Sequence, residues 1–528
     1  MFSPASIRGN TPGSARTRSF GALGLCTLGL VLAASACVHA DDPADKSKAV
    51  PQEKAAPKET TAEKPREALT GFNNSTNGFE DQDAFDADQK TFEEVESVAP
   101  NGLGPVYNAT SCVGCHQSPV AGSSSQIPEL RIGHHEPDPD DPRKVVFIEP
   151  PSGSLIHQRA IHGAIQERTP GEYEVRTLRM STSILGDGFV EVLSDRQILD
   201  VRDAQPKGLK GLPVVVPVPV GPKADGSGFE TVERIGRFGW KCQEASLVNF
   251  AAGAYLNEMG VTSPLQPHEN TSNGRDVSAF DAVADPEDKV VSDESPDERH
   301  PFGVDVEAFT RFMRSTKAPP REFALVGTDD VRAGEALFRN DTALGCAVCH
   351  HPDYTTPAAG SLIKPYHGGD GTTPGSDMGA VPEALGNKII HPFSDFMLHD
   401  VGTGDGIAQT QHAQKPHHGA ASLQAAPDAV MARDGVVRVR ARPHPGGRRA
   451  LSAAAPGLDM RTMYRIRTTP LWGLRVRPQL LHDGSALTID EAIRRHKGQA
   501  EEVTKRYVKL TEEHPDQARQ LLAFLNSL

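Results

Sequence analysis

Two short motifs constrain this chain more than any other feature of its sequence. Each has two cysteines separated by two residues, with a histidine directly after the second cysteine. This is the attachment pattern of c-type haem, in which both cysteines bind the haem and the histidine ligates its iron. A zinc site or a redox dithiol also uses Cys-x-x-Cys, but neither needs the histidine twice. The sequence predicts two covalently bound haem c groups, with attachment residues Cys112, Cys115, Cys346 and Cys349 and iron ligands His116 and His350.

The remaining cysteines and the net charge narrow the class of protein. Cys26 and Cys37 lie near the N-terminus, so Cys242 is expected to be a buried free thiol and no disulfide framework is predicted. The formal net charge is −14, and it is −17 without residues 1–36, which contain three arginines and no acid. Such a protein repels nucleic acid and anionic lipid, so no nucleic-acid partner is expected.

The N-terminal residues 1–40 have the pattern of an export signal, because arginines precede an apolar run that is short for a membrane span. Ala34-Ser35-Ala36 fits cleavage by signal peptidase, whereas Cys37 fits a lipoprotein signal. A lipid on Cys37 is the one predicted route to a membrane. Both alternatives place the mature chain in the periplasm or elsewhere outside the cytoplasm. Residues 41–70, with hardly a large apolar side chain, are expected to form a disordered tether.

The rest of the chain is expected to be mainly α-helical, with two cytochrome c-like haem domains, a small β-hairpin and long loops. The N-terminal haem domain is predicted at 71–264 and the C-terminal one at 316–528, with an acidic linker at 265–315 between them. The hairpin is predicted within 211–236, from a valine run followed by turn residues. Residues 406–458 are predicted to be a loop insertion. Calcium binding by the linker carboxylates is the alternative to a solvated segment, but their spacing matches no EF-hand loop.

Apolar spacing and helix-capping residues predict helices near both motifs. One begins after Gln243 and ends at Gly260, and another covers 331–338, directly before the second motif. A third follows Pro515 near the end of the chain. The helix after Pro515 is expected to close a cytochrome c-like fold.

A fourth predicted helix supplies a candidate second ligand for the C-terminal haem. Thr488 begins a capping box with Glu491, so the helix is expected to start there. Ile489, Ile493 and His496 then fall on one apolar face. We therefore predict that His496 ligates the C-terminal haem iron. The alternative is a core histidine held by a hydrogen bond.

No distal ligand stands out for the N-terminal haem. An open distal face is as consistent with the sequence as ligation by any of four histidines, His134, His135, His157 and His162. An open face needs an acid to handle the protons of a bound peroxide, and Glu191 is the candidate catalytic residue. Its alternative is a structural carboxylate at the start of a helix.

Six further segments lie in a characteristic order along the chain. They are Asn101–Pro105, Gly236–Lys241, Phe393–Asp395, Leu398–Asp400, Arg467–Gly473 and Leu481–Gly484. Together with the two motifs they resemble the bacterial di-haem oxidoreductases, some of which are described as thiol oxidoreductases or peroxidases. That family is distantly related to the di-haem cytochrome c peroxidases.

The resemblance implies an electron-transfer haem in the C-terminal domain and a reactive haem in the N-terminal one. In the peroxidases a methionine ligates the C-terminal haem at the position that His496 holds in this chain. No clear counterpart of their distal glutamine and glutamate is present. We expect an exported di-haem oxidoreductase that takes electrons from a redox-protein donor and passes them from the C-terminal to the N-terminal haem, to reduce a small oxidant such as hydrogen peroxide. The alternatives are a non-catalytic electron-transfer protein and a redox accessory to metal handling.

Overall fold

The computed structural model describes residues 64–288, 300–368, 371–410, 430–431, 437–438 and 458–528. The predicted export signal with Cys37, most of the predicted tether and most of the predicted loop insertion lie outside these residues. The described residues belong to one unit, Ala62–Leu528, and the predicted division into two haem domains and a linker stays a prediction. In this part of the chain, no helix has both the length and the apolar character needed to cross a membrane.

The prediction of a mainly α-helical fold is wrong. The structure is 29% helix and 17% strand, and its strands form several sheets. The chain contains 42 prolines and 49 glycines, which interrupt helices and favour short paired segments between turns. Most of the sheets are therefore pairs of short strands that hold loops together. Strands of two residues are too short to show an alternating hydrophobic pattern in the sequence.

The helices of the described residues are mostly two to four turns long. In chain order they are α1 (Gln82–Glu93), α2 (Asp187–Glu191), α3 (Asp195–Ala204), α4 (Leu247–Ala254), α5 (Val304–Ser315), α6 (Phe323–Val326), α7 (Asp329–Arg339), α8 (Ile489–Arg495), α9 (Glu501–Glu513) and α10 (Pro515–Leu525).

Most strands have only two to four residues, and four strands have six to ten. In chain order they are β1 (Arg66–Glu67), β2 (Val106–Tyr107), β3 (Pro128–Pro137), β4 (Val145–Ile148), β5 (Leu155–Ile156), β6 (Arg159–Ala160), β7 (Val175–Met180), β8 (Val215–Pro222), β9 (Phe229–Ile235), β10 (Tyr354–Thr355), β11 (Lys388–Ile390), β12 (Leu398–His399), β13 (Gln409–Thr410), β14 (Val430–Met431), β15 (Val437–Arg438), β16 (Leu458–Asp459) and β17 (Ile466–Arg467). β3 pairs antiparallel with β4, β5 and β7 to form a sheet of four strands.

Several local predictions are confirmed. β8 and β9 form the predicted antiparallel hairpin, with Val216 opposite Arg234. α4 continues into a π-helical turn, Tyr255–Met259, that ends at Gly260 in the left-handed conformation (φ 70°). α7 covers the predicted segment before the second motif, and α10 begins at Pro515. These elements could be predicted because their apolar spacing and end residues are both local.

Each haem motif packs against its own apolar cluster. In the larger cluster α1, α4 and α5 meet, and the rings of Phe92 and Phe312 lie 4.8 Å apart between centroids. In the other cluster α7 and α10 meet, with the Phe338 and Phe524 rings 5.3 Å apart. The first motif contacts the larger cluster and the second motif contacts the other one. Burial of these aromatic side chains therefore holds both motifs in place.

A buried network of charges joins four distant segments of the chain. The Asp405 carboxylate lies 2.7 Å from Arg179 Nη2 and 2.7 Å from Lys241 Nζ, and all three side chains are buried. Lys241 Nζ also donates to the carbonyls of Thr462 at 2.9 Å and Arg465 at 2.8 Å. Burial lowers the pKa of Lys241 to about 8, although Asp405 raises it. Two buried cations therefore depend on one carboxylate.

We expect Asp405→Asn to destabilise the fold by about 3–5 kcal/mol, because it leaves two buried cations without a counter-charge. Urea unfolding at neutral pH measures the change in the free energy of unfolding. The control is Asp203→Asn, which removes an exposed carboxylate paired with Arg202 on α3 and is expected to change stability little. Equal unfolding curves for the two variants would contradict the role assigned to Asp405.

Candidate functional site

The two haem motifs fold in the same way. Cys112–Gly114 and Cys346–Val348 each form a 3₁₀ turn. The histidine of each motif donates its backbone N–H to the carbonyl of the first cysteine at 3.0 Å, as His116 does to Cys112 and His350 to Cys346. All four cysteines are free thiols that are partly buried. One tight turn thus brings two thiols and an imidazole together twice, as covalent haem attachment requires.

A backbone carbonyl fixes the ring of each motif histidine. His116 Nδ1 donates to the Ser123 carbonyl at 3.2 Å, and His350 Nδ1 donates to the Phe393 carbonyl at 3.1 Å. Histidines that ligate metals commonly donate their other ring N–H in this way, which sets the tautomer and the ring orientation. Nε2 is then the ring atom available to iron. The fixed tautomer therefore fits haem iron at both motifs.

The structure brings His496 to the same cavity as His350. His496 caps the C-terminal end of α8, and its Nδ1 donates to the Ala492 carbonyl at 2.7 Å. Burial lowers the pKa of His350 to about 4, and the nearby His496 adds to that shift. Burial also lowers the pKa of His496. Both imidazoles are therefore neutral near pH 7, which iron ligation requires. Ligation by His496 itself stays a prediction.

A cavity that is partly open to solvent extends from the second motif. Around the motif its wall is apolar and is supplied by α7, α8 and α10. The apolar lining residues include Phe338, Ile489, Ile493, Leu521 and Leu525. A flat apolar macrocycle fits such a wall, and Cys346, Cys349, His350 and His496 all lie on it.

Another part of the cavity wall carries positive charge. Arg467 and Arg477 are both enclosed there, and no carboxylate of the described residues forms an ion pair with either. Burial and the neighbouring Arg467 lower the pKa of Arg477 to about 10. His482 Nδ1 and Gln479 Oε1 are buried without a hydrogen-bond partner among the described residues. Carboxylates of a bound haem would accept hydrogen bonds from the two guanidinium groups and from a His482 ring N–H, so this wall fits haem as well as the apolar one does.

The four histidines considered as second ligands of the first haem all make other contacts. The ring of His157 is held at both nitrogens, by Glu167 at 3.2 Å and by the Asn257 carbonyl at 3.1 Å. The other three contacts are His134 with Glu174, His135 with the Gly406 carbonyl and His162 with the Phe280 ring. This arrangement favours an open distal face at the first haem.

Glu191 is placed in an ion pair in the protein interior. Its carboxylate accepts from Arg314 Nε at 2.7 Å and from the Leu247 backbone N–H at 2.8 Å, and it is 0% exposed. It does not line the cavity described above. This geometry gives the Glu191 carboxylate a structural task. Its predicted catalytic role stays a prediction.

Asp187, at the start of the same short helix α2, does line the cavity. Burial raises the pKa of Asp187 to about 7; Glu191 raises it as well, while Arg467 lowers it. A carboxyl that titrates near neutral pH can act as a proton donor. Sequence reasoning missed this residue, because a five-residue helix does not show which of its two carboxylates points to a cavity. Gly186, which precedes Asp187 with φ 81°, is the local sign of the tight turn.

Three carboxylates of the predicted acidic linker lie together. The oxygen atoms of Glu269, Asp285 and Glu287 are within 4.8 Å of one another. Burial, followed by repulsion among the neighbouring carboxylates, raises the pKa of Glu269 to about 9. Burial raises the pKa of Glu287 to about 7. Bound protons can therefore relieve the repulsion without a cation, and calcium binding stays the alternative to the predicted solvated segment.

Comparison with known proteins gives one family match. The family described as "Di-haem oxidoreductase, putative peroxidase" matches residues 170–419, which include the second motif. No curated protein matches the chain. A solved structure of Kuenenia stuttgartiensis hydrazine synthase, pressurised with xenon, has 13% sequence identity and a TM-score of 0.32, covering 92% of this chain and 100% of that one. The family match confirms the resemblance found in the sequence.

We expect His496→Ala to convert the second haem of the holoprotein from low-spin to high-spin, because it removes the predicted sixth ligand of that iron. Electron paramagnetic resonance and the visible absorption spectrum of the oxidised protein measure the change. The control is His367→Ala, which removes an exposed histidine that pairs with Glu233 and should leave both spectra unchanged. Identical spectra for His496→Ala and the wild type would remove His496 as a ligand.

Proposed function

We propose that the chain is an exported enzyme with two covalent haem c groups that reduces a small oxidant, because it has two haem motifs and its residues 170–419 match the di-haem oxidoreductase family. Hydrogen peroxide is the proposed oxidant, with the overall reaction H₂O₂ + 2 e⁻ + 2 H⁺ → 2 H₂O. The bound haem groups supply the one-electron chemistry that amino-acid side chains lack. A redox protein outside the cytoplasm is the proposed electron donor.

One asymmetry between the motifs carries this proposal. His350 shares its cavity with a second histidine, His496, whose ring is already oriented by the Ala492 carbonyl. The four histidines considered for the first motif make contacts of their own. Two histidines favour an electron-transfer iron, and one histidine leaves a face for a substrate. We therefore assign electron entry to the C-terminal haem and oxidant reduction to the N-terminal one.

The residues of the cavity wall have separate tasks in this proposal. Arg467 and Arg477 would bind the carboxylates of a haem held at the second motif. Asp187 is the proposed proton donor for the N-terminal haem, because it is the acid of the cavity wall that titrates near neutral pH. The same wall includes Thr182, whose backbone contacts the His116 ring, and Ser124, which follows the Ser123 carbonyl that orients that ring. Arg314 forms an ion pair with Glu191 and holds that carboxyl group in place, four residues after Asp187. The Glu191 charge in turn raises the pKa of Asp187.

Location and attachment are proposed from the N-terminal sequence. Residues 1–40 would direct export, and a lipid on Cys37 would attach the protein to a membrane through the 41–70 tether. The strong negative charge of the mature chain suits a cationic redox donor. Haem c is attached to proteins outside the cytoplasm, so export and the two motifs agree.

We expect the holoprotein, supplied with ascorbate and a redox mediator, to consume hydrogen peroxide with a rate that falls as the pH rises through about 7. The sign follows from the raised pKa of Asp187, whose proton is present below that pH and lost above it. Asp187→Asn should lower the rate by roughly 100-fold and remove this pH dependence. The control is Asp200→Asn, an exposed carboxylate on α3.

Two results would contradict the proposal in different ways. A holoprotein with two haem groups that accepts electrons but leaves hydrogen peroxide unconsumed would be an electron carrier. Peroxide consumption that Asp187→Asn leaves unchanged would remove Asp187 as the proton donor and keep the reaction. The haem content of each variant, measured by mass spectrometry, separates a lost proton donor from a lost haem.

A further inference from the structure

Three titratable side chains meet in the interior, where α4 passes into its π-helical turn. Tyr255 Oη lies 2.9 Å from Glu96 Oε1 and 3.0 Å from Asp305 Oδ2. Glu96 is 6% exposed and Tyr255 is 2% exposed. The three come from distant parts of the chain, since Glu96 follows α1 and Asp305 lies in the first turn of α5. Single π-helical turns within helices are frequent at functional sites.

The number of protons in this cluster follows from its geometry. A tyrosine hydroxyl has one O–H to donate and accepts through its lone pairs. Its one proton can satisfy either Glu96 or Asp305, and the other short O–O contact then needs a proton on the carboxyl group. At least one of the two carboxyl groups is therefore protonated when both contacts form. The cluster therefore holds one proton more than it would with Tyr255 neutral and both carboxyl groups ionised.

The surroundings favour this extra proton. Burial raises the pKa of Glu96 to about 7, with Asp305 and Glu94 adding to the shift. Burial also raises the pKa of Asp305. Asp288, which accepts from the Asp305 backbone N–H at 3.0 Å, is a further buried acid facing Tyr255. Among the described residues, the charged groups that act most strongly on the cluster are two further carboxyl groups, Glu94 and Asp288, so a gain or loss of one proton changes the charge of an already acidic region.

The cluster lies next to the first haem motif. The Glu96 backbone N–H donates to the Thr110 carbonyl at 2.7 Å, two residues before Cys112. Burial raises the pKa of the partly buried Cys112 thiol, and charges on Glu96 and Asp305 raise it further, so both carboxyl groups act electrostatically on the residue that attaches the haem. A group that raises the pKa of Cys112 also senses a charge change on a haem bound there, because the interaction is reciprocal.

Aromatic rings connect the cluster to the histidine of the same motif. The ring of Tyr255 lies 5.0 Å from that of Phe309, which lies 6.1 Å from that of Phe92. Phe92 in turn lies 6.4 Å from the ring of His116. The rings of Tyr255, Phe309 and Phe92 are all buried, so they form an apolar layer between the cluster and the motif. An electrostatic interaction across an apolar layer is stronger than one through water.

We propose that Glu96, Tyr255 and Asp305 form a proton-binding site that takes up a proton when the haem at Cys112–His116 receives an electron. The electron comes from the redox donor through the C-terminal haem, and the proton comes from solvent and forms an O–H bond on the carboxylate of Glu96. No other bond forms or breaks. The site would retain a proton close to the place where peroxide reduction consumes two. The inference rests on the proposed function, because it needs a haem at the first motif.

The test uses the holoprotein with its two haem groups counted by mass spectrometry. Spectroelectrochemical titration between about pH 6 and 8 measures the midpoint potential of each haem, and redox infrared difference spectra measure protonated carboxyl groups. We expect the potential of the first haem to fall as pH rises in the wild type. Glu96→Gln should remove at least half of this change in midpoint potential per pH unit, and it should also remove an infrared band of a protonated carboxyl group. The matched control is Glu93→Gln, an exposed carboxylate on the same segment.

A second variant separates the loss of the proton-binding site from a folding defect. Tyr255→Phe keeps the ring packed on Phe309 but removes the hydroxyl between the two carboxyl groups. It should shift the infrared carboxyl band without loss of either haem. If Glu96→Gln binds both haem groups but keeps the full pH dependence of the first haem potential and the infrared carboxyl band, the proton-binding site is wrong and the proposed function is unaffected. Absence of haem at Cys112 and Cys115 in the wild type would overturn the proposed function instead.

Discussion

Both proposed haem sites depend on the orientation of three imidazole rings, and a backbone carbonyl sets each orientation. His116, His350 and His496 all donate Nδ1 to a carbonyl, at 3.2, 3.1 and 2.7 Å. A ring held at Nδ1 presents Nε2, so the loops that carry those carbonyls decide where iron can bind. Phe393, which supplies one of them, has a left-handed backbone (φ 53°) that non-glycine residues seldom adopt. Strain of this kind is retained where the surrounding structure fixes it for function.

The charges around the cavity follow from the same need to hold loops in place. Asp405 joins Arg179 and Lys241, and Lys241 reaches the carbonyl of Arg465 just before the cavity residue Arg467. Such buried pairs define one arrangement, since any other would leave a charge unpaired. Arg467 is left without an ion pair among the described residues and faces the cavity, ready for an anionic ligand. The charges of Arg179 and Lys241 are paired and support the fold, whereas the charge of Arg467, unpaired in the described part of the chain, is available to a ligand.

The sequence predicted what depends on neighbouring residues. The two motifs, the β8–β9 hairpin and the helix that starts after Thr488 all have local patterns. The predicted fold class was wrong, because two-residue strands such as β12 and β17 pair across long stretches of chain and have no local sequence pattern. Asp187 was missed in favour of Glu191 for a similar reason, since only packing shows which carboxyl group meets the cavity. The cluster around Tyr255 draws on three separate segments and has no sequence pattern.

We propose one decisive difference between the two haem sites: a second histidine closes the His350 site, and the His116 site is open. Electron paramagnetic resonance of the holoprotein, oxidised and then half-reduced, tests this difference most directly. We predict a high-spin haem in at least one of these states, and a spectrum of the half-reduced form that changes when hydrogen peroxide is added. Two haem groups that remain low-spin in both states, with no response to peroxide, would contradict the proposed difference.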